Sequence, residues 1–393
     1  MSSPVRALAA VNLAAIERNC ARLRAELRPG ASLCAVVKAD GYGHGAVQSA
    51  RAAQAGGAIW LAVATAAEAA ELRFAGIAGC LLVLGALTPG ELDVALGADA
   101  DVIAWSEEFV AAVADRAGEA GARVHVKLDT GMGRLGTRDP AEADRVAAAV
   151  LAAPRLELAG AMTHFATADE LGDGFFPGQL ERFRLWALAL KAEHPGLALH
   201  AANSAALLRD EAAHFDLARA GVAIYGLDPF QRDAGERGLE PALELRSWVA
   251  ALKHCEVGES AGYGRRFIAQ RPTTLGVLPL GYGDGVRRAL ANNADVLVGG
   301  QRRALVGAVS MDNVTVDLGD PRPDNAGLGA EAVLVGAQGS ERITVEELAK
   351  RLGTINYEIT CGLSARVPRA HHRDGEPVAD ERARAAAGGR TGS

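Results

Sequence analysis

Leu33-Cys34-Ala35-Val36-Val37-Lys38-Ala39-Asp40-Gly41-Tyr42-Gly43-His44-Gly45 passes from an apolar run into a lysine and a glycine-studded turn, and Ala46–Ala55 follows with helical periodicity. An uninterrupted apolar run of this length suits a strand buried on both faces, and the turn and helix complete one βα unit. The unit recurs. Apolar runs at Trp60–Ala64, Leu81–Gly85, Asp101–Trp105, Val124–Asp129, Leu156–Thr163, Ala198–Ala202 and Phe215–Arg219 alternate with helical segments at Ala66–Phe74, Ser106–Ala120, Pro140–Ala152 and Leu180–Glu193. Ser, Thr or Pro stands just before several of the helices, where it can cap or start them. About eight such units predict an α/β fold built as a (β/α)8 TIM-type barrel, with a doubly wound open sheet as the second reading.

The texture changes after Pro241. Alternating runs at Ser247–Leu252, Thr273–Pro279, Asp295–Val298, Ala304–Val309, Val314–Asp317 and Ala332–Val335 are divided by Gly-rich turns, and one capped helix, Thr344–Arg351, interrupts them. That pattern predicts a mostly β domain. The expected organisation is therefore a barrel over residues 1–240, a β domain over 241–372 and a polar, low-complexity tail over 373–393 that reads as disordered.

Composition narrows the function. The chain has 393 residues, 49% of them hydrophobic and 23% charged, which is the balance of a globular soluble protein. A net charge of −7 gives no reason to expect nucleic acid as a partner. The five cysteines are scattered without a CxxC pair, as in reduced cytoplasmic proteins, and no metal site is expected. No run is apolar enough to span a membrane, and Met1 to Asn12 lacks the apolar core of a secretory signal.

Lysine is the rare cation here: Lys38, Lys127, Lys191, Lys253 and Lys350 stand among 41 basic residues, the rest arginine. A primary amine can lose its proton and condense with an aldehyde, whereas guanidinium stays charged. Lys38 ends the first strand of the barrel, where barrel chemistry gathers. Lys127 and Asp129 end the fifth, ahead of the glycine-rich loop bearing Arg134. His164 ends the sixth strand, His200, Asn203 and Ser204 the seventh, and Arg219 the eighth, before Gly221 and Val222. Each alone is ordinarily structural: a lone histidine is a hydrogen-bonded core residue, and Asn203 or Ser204 a helix cap. Together they form a cationic ring suited to a ligand with phosphate and carboxylate. An amine, a phosphate cradle and an arginine facing a ring nitrogen are the needs of pyridoxal phosphate. All five tyrosines (Tyr42, Tyr225, Tyr263, Tyr282 and Tyr357) lie in turns bearing Gly or Asn, which predicts phenols presented for proton transfer or phosphate binding rather than packed in the core.

The stretches AVVKADGYGHG, VHVKLDTGMGRLG, MTHFATAD, HAANSAA, RAGVAIYG, SAGYGRRF, PLGYGDG, SMDNVTVDL and NYEITCGLSARVPR closely resemble those of the alanine racemases, from Val36 to about Arg369. The resemblance implies a pyridoxal-phosphate barrel joined to a β domain, working on a small amino acid as a homodimer with shared active sites and supplying D-alanine for peptidoglycan. It implies that Lys38 is the Schiff-base lysine and Tyr263 the opposing catalytic tyrosine, contributed by the partner subunit. Tyr42, Ser204, Gly221, Val222 and Tyr357 resemble the phosphate contacts. Arg219 resembles the donor to the pyridine nitrogen, with His164 linking it toward Tyr263. Arg134 and the Met311 backbone resemble the binders of the substrate carboxylate, and Lys127 a lysine carbamylated in many members that orients Arg134. Tyr282 and Asp312 fall at the substrate entrance, and Ser310 stands where some members have cysteine.

Racemisation needs a proton taken from one face of a carbon and another delivered to the opposite face, so two acid–base groups must flank it. Lys38 and Tyr263 suit that task, and since free lysine and tyrosine titrate near 10, neighbouring cations must depress them. An amino-acid decarboxylase of similar plan would carry an acidic partner for the ring nitrogen and a catalytic cysteine near the C-terminus; Arg219 and the setting of Cys361 in NYEITCG do not match. A non-catalytic cofactor carrier would end after the barrel. A broad-specificity racemase differs in pocket width, which sequence leaves open.

Overall fold

The computed structural model describes residues 5–378. They form two compact units: one of Ile16–Phe230 and Gly238–Glu240, the other of the residues up to Ala15, Gln231–Arg237 and those from Pro241 onward. The chain's first strand, β1 (Leu8–Asn12), thus belongs to the second unit, not to the barrel that a boundary at residue 240 would assign it to. The reason is pairing: β1 lies antiparallel to Leu243–Trp248 and parallel to Arg369–Arg373.

The first unit is the barrel. Its strands are β2 (Ser32–Val36), β3 (Trp60–Val63), β4 (Cys80–Val83), β5 (Val102–Ala104), β6 (Ala122–Lys127), β7 (Leu156–Met162), β8 (Ala198–His200) and β9 (Leu217–Ala220). Parallel ladders run β4-β3-β2-β9 and β5-β6-β7-β8. Backbone bonds join the two ladders at both edges. Val83 N–H donates to Asp101 O at 2.9 Å and Asp101 N–H to Leu81 O at 2.8 Å, while Asp216 N–H donates to Leu199 O at 3.0 Å and Arg219 N–H to Ala202 O at 2.9 Å. The ring is closed, which rules out the open sheet. The strand cores are almost wholly buried, as expected of parallel strands covered on both faces.

Helix starts follow the capping signals. Thr65 and Thr88 form capping boxes with Glu68 and Glu91, and Ser106 and Asp139 cap their helices through side-chain oxygens. Three helical segments match the expected spans: Ala46–Ala55, Ala66–Phe74 and Pro140–Ala152. The helix expected from Leu180 begins earlier and spans Phe175–Glu193. Pro177 and Gly178 argue for a loop in sequence, but a proline in the first turn sacrifices no intrahelical bond.

The second unit is built on antiparallel strands. Asp295–Val298 lies as expected, and Val314–Gly319 and Glu331–Gln338 cover their expected runs; Thr273–Leu278 stops short of Pro279, and Gln301–Val306 starts before Ala304 and ends short of Val309. The run Ser247–Leu252 is two strands, Leu243–Trp248 and Ala251–Cys255, with different partners. Burial alternates along Leu243–Trp248 and Val314–Gly319, so each presents one face to the core. The expected tail starts too early. Arg369–Arg373 and Glu376–Pro377 pair across Asp374-Gly375, whose φ values of 48° and 95° suit a tight hairpin turn. The rest of the tail, residues 379–393, lies outside the described residues.

The helix Val345–Leu352 begins at Thr344, whose hydroxyl accepts the Glu347 N–H at 3.1 Å, and ends at Gly353 with φ 66°. Thr344→Ala is expected to lower stability by about 1 kcal/mol, read by denaturant unfolding, because one orphan N–H loses its acceptor.

Candidate active site

The barrel's strand ends carry the unusual residues. After β2, the chain makes a single left-handed turn: Ala39, Asp40, Gly41 and Tyr42 have φ of 52°, 53°, 60° and 52°. Left-handed helix costs L-residues roughly 1–2 kcal/mol each, and only glycine is free of that cost. Such strain persists where surrounding bonds over-determine it, and it clusters at functional sites. Here Gly41 N–H donates to Val37 O at 2.9 Å, Gly43 N–H to Ala39 O at 3.0 Å and Gly45 N–H to Asp40 O at 2.8 Å. Asp40 Oδ1 accepts the Ala46 N–H at 3.0 Å, tying the turn to the next helix. Lys38 opens this turn and is half-buried.

Tyr42 closes it, and its hydroxyl lies against Gly221: a Cβ at position 221 would sit 2.5 Å from that oxygen. The Ser204 hydroxyl reaches the same place, accepting the Gly221 N–H at 2.9 Å and the Ala223 N–H at 3.4 Å. Ser204 is positioned as the first residue of the short helix Ser204–Arg209, which Asn203 caps. Val222 starts a 3-10 turn, Val222–Tyr225. Two hydroxyls, a glycine with no room for a side chain and the start of a helical turn make a cradle of the size and donor set that a phosphate needs.

Arg219 is buried beside it. Its guanidinium donates to His200 Nδ1 at 2.9 Å, Thr163 O at 2.8 Å and Ala201 O at 3.1 Å, and approaches His164 Nδ1 at 3.4 Å. Its Nε takes no acceptor among the described residues, so it is a donor open to a ligand. Guanidinium only donates, so His200 Nδ1 must accept and the proton sits on His200 Nε2. That proton points to His125 Nδ1 at 2.8 Å, and His125 Nε2 in turn donates to Asp101 at 3.0 Å. Arg123 holds the same carboxylate at 2.6 Å. The chain of donors runs one way, from Arg219 through both histidines to Asp101. Gly160 makes room for it: a Cβ there would overlap the His125 ring.

The cations perturb their neighbours. Burial, then Arg219 and Arg134, push Lys127 down to about 7. Burial, then Arg219 and Lys127, hold His164 well below the ordinary histidine range; burial, Arg219 and His125 do the same for His200. Burial brings Arg219 down to about 10, which leaves it charged at neutral pH. Lys127 hydrogen-bonds through its amine to no acceptor among the described residues, and Arg134 stands exposed on its loop, likewise without a partner there. Asp129 pins that loop by accepting the N–H groups of Gly131 at 3.0 Å, Met132 at 2.7 Å and Gly133 at 2.9 Å.

The structure therefore brings together Lys38, Tyr42, Lys127, Arg134, His164, Ser204, Arg219, Gly221 and Val222 in the barrel unit. Tyr225 departs from the expectation for tyrosines. It is fully buried, donates to Val36 O at 3.1 Å and stacks on His44, so it is a core residue beneath the left-handed turn. Sequence reasoning missed His125 and Asp101, which sit in apolar company, and Gln179. Gln179 is fully buried and donates to Thr130 Oγ1 at 3.3 Å while accepting the Ala166 N–H at 2.8 Å, joining the loops after β6 and β7. A glutamine on the inner face of a helical pattern was the available signal.

In the second unit, Tyr263 stands at the tip of the hairpin Ser260–Ala261/Phe267–Ile268 and is 74% exposed. Gly262, with φ 76°, tucks the hairpin root against Ala308. Tyr282 N–H donates to Ser310 O and Gly283 N–H to Met311 O, both at 2.9 Å, so the two turns carrying Tyr282, Met311 and Asp312 are sewn together. The Ser310 hydroxyl closes its turn onto Asn313, and Arg366 holds Asp312 at 2.6 Å. Tyr357 is half-buried on the helix Asn356–Cys361.

A closed barrel that gathers a reactive amine, a phosphate cradle and a buried arginine at its strand ends defines a pyridoxal-phosphate enzyme of the barrel class. Residues 11–229 match the family model of the alanine racemase N-terminal domain, and residues 242–371 that of the alanine racemase C-terminal domain. Alanine racemase of Symbiobacterium thermophilum is 42% identical over 365 residues, covering 92% of this chain and 96% of that protein. Crystal structures of alanine racemase from E. faecalis and from Bacillus anthracis, the latter with bound L-Ala-P, superpose with a TM-score of 0.87 each, at 35% and 36% identity. They cover 93% and 96% of this chain and 98% of each of those chains. The chain belongs to the alanine racemase family, pyridoxal-phosphate-dependent isomerases that interconvert L- and D-alanine.

Between pH about 7 and 10.5 the folded chain has lost a Lys127 proton that the unfolded chain keeps. This group's contribution to stability therefore rises with pH across that window, and its burial cost is felt in full below it. In carbon-dioxide-free buffer, unfolding free energies should climb more steeply with pH above 7 for the native chain than for Lys127→Met.

Proposed function

We propose that this chain works in the cytoplasm as a homodimeric alanine racemase whose D-alanine feeds peptidoglycan synthesis, with Lys38 and Tyr263 as its two bases. The observation that carries the reading is Lys38, a scarce lysine held by a strained left-handed turn beside a phosphate cradle and the buried Arg219. The barrel unit serves as the cofactor domain. Tyr42, Ser204 and the Gly221–Val222 backbone would hold the phosphate, joined by Tyr357, and Arg219 would donate to the ring nitrogen. Pyridoxal phosphate, when bound, would supply an electron sink that makes the substrate's α-hydrogen removable.

The residues then divide the work. Arg134 and the Met311 backbone N–H hold the substrate carboxylate, which fixes which hydrogen faces which base. Lys38 exchanges a proton at one face of the α-carbon. Tyr263 of a second copy exchanges one at the other, its 74% exposure being consistent with a group that finds its site on another chain. His164, kept neutral, couples Arg219 toward that tyrosine. An aspartate in place of Arg219 would hand the ring a full proton, whereas a charged guanidinium only shares one, which limits side reactions. Tyr282 and Asp312 flank the substrate entrance. Lys127, its amine half neutral near pH 7 and unbonded, is poised to take up carbon dioxide as a carbamate; the negative charge would hold Arg134 in place.

Lys38→Ala and Tyr263→Phe are each expected to lose ~10²-fold or more in turnover of L-alanine, measured by a chiral assay. Co-refolding or subunit exchange of the two inactive variants should restore activity, because one site of each mixed dimer regains both bases. Mixtures as inactive as their parents would contradict a site shared between copies.

A further inference from the structure

Glu68, the capping-box partner of Thr65, lies outside the residues of the candidate active site, yet both oxygens of its carboxylate are used. Oε2 accepts the N–H groups of Ala64 at 2.8 Å and Thr65 at 3.1 Å, capping the helix Ala66–Phe74 together with Thr65. Oε1 reaches across to the neighbouring strand end and accepts the Ala39 N–H at 2.7 Å. Ala39 is the residue after Lys38 and the first of the left-handed turn. The last ladder bond between β2 and β3 is Val37 N–H to Ala62 O at 2.8 Å. In a parallel ladder the next donor on that side is Ala39, so Glu68 supplies the acceptor where the two strands part.

We infer that Glu68 is a positioning residue for Lys38: its carboxylate anchors the left-handed turn that presents the amine to the cofactor. This rests on the reading of Lys38 as the cofactor's lysine. The chemistry asks for a carboxylate. Three N–H donors converge on one side chain, and only a group with two acceptor oxygens satisfies all three. Glutamine keeps the shape and can still accept from Ala64 and Thr65 through its oxygen, but it turns an amide N–H toward the Ala39 N–H, donor facing donor. Glu68→Gln should thus leave the helix cap in place and release the turn. Thr65→Ala does the reverse, removing the other half of the cap and leaving the bond to Ala39.

The test compares the native chain, Glu68→Gln, Thr65→Ala and Lys38→Ala, each stripped of cofactor and reloaded with pyridoxal phosphate while the visible absorbance of the bound chromophore is followed. Glu68→Gln is expected to load roughly tenfold or more slowly, as for loss of a hydrogen bond to a charged acceptor. Its kcat should fall while KM for alanine stays near the native value, since Arg134 is untouched. Thr65→Ala is expected to melt at lower temperature and to load at the native rate. Native loading and kcat in Glu68→Gln would overturn the inference, as would an equal loading defect in both variants, which would make helix stability the cause. A native chromophore in Lys38→Ala would instead overturn the assignment of the lysine.

Discussion

A guanidinium sealed inside a barrel has to find acceptors for its donors, and that demand shapes the mouth of this one. Arg219 is buried yet charged at neutral pH, and it is satisfied by two backbone carbonyls and two imidazole nitrogens. A hydrogen bond to a charged group contributes about 1.5–3 kcal/mol, and leaving a buried charge unmet costs more than any one of them. The histidines that serve it must keep an unprotonated nitrogen toward it. Their neutrality is therefore a structural requirement as well as an electrostatic one, and burial and the nearby cations push in the same direction. Asp101, at the far end of the donor chain, supplies the negative charge that closes it.

One fixed cation then sets the character of its surroundings. Lys127 is driven toward neutrality by burial and then by the same field, down to about 7, so near neutral pH about half of it is a nucleophilic amine. In the proposed function Arg134 meets the substrate carboxylate and Arg219 the ring nitrogen, while the phosphate falls to the neutral hydroxyl and backbone cradle. The left-handed turn after β2 adds geometry to this field. It stores strain next to Lys38 and is held by its own backbone bonds, by Asp40 and by Glu68. Gly41 is its one residue free of Cβ strain, and a side chain there would press on Ser49.

Much of this was legible in the sequence, for identifiable reasons. The eight barrel strands announced themselves because parallel strands are apolar on both faces and end in glycine or polar turns. Lys38, Lys127, Arg219 and the Gly221-Val222 pair stood out because cations and a glycine interrupt that apolar pattern at the strand ends. His125 and Asp101 stayed hidden because a polar residue in an apolar strand looks the same whether it is satisfied by a neighbour or by chance. Tyr225 misled for the opposite reason: its glycine-flanked setting resembles a presented phenol, but the turn folds inward and the ring packs under His44. β1 could not be assigned from pattern, since five residues carry no record of which sheet they will join, and its partners lie more than two hundred residues away. Glu68 completes a capping box with Thr65; the partner of its second oxygen could not be read from sequence, because the strand it reaches is adjacent only in the closed barrel.

The account depends most on the direction of the donor chain that begins at Arg219. Side-chain ¹⁵N NMR of the histidine-labelled enzyme reports the protonation of each ring nitrogen directly. The expected result is a neutral His200 with its proton on Nε2 and a neutral His164 at pH near 7. A doubly protonated His200, or a neutral one carrying its proton on Nδ1, would contradict the account, because neither can accept from Arg219.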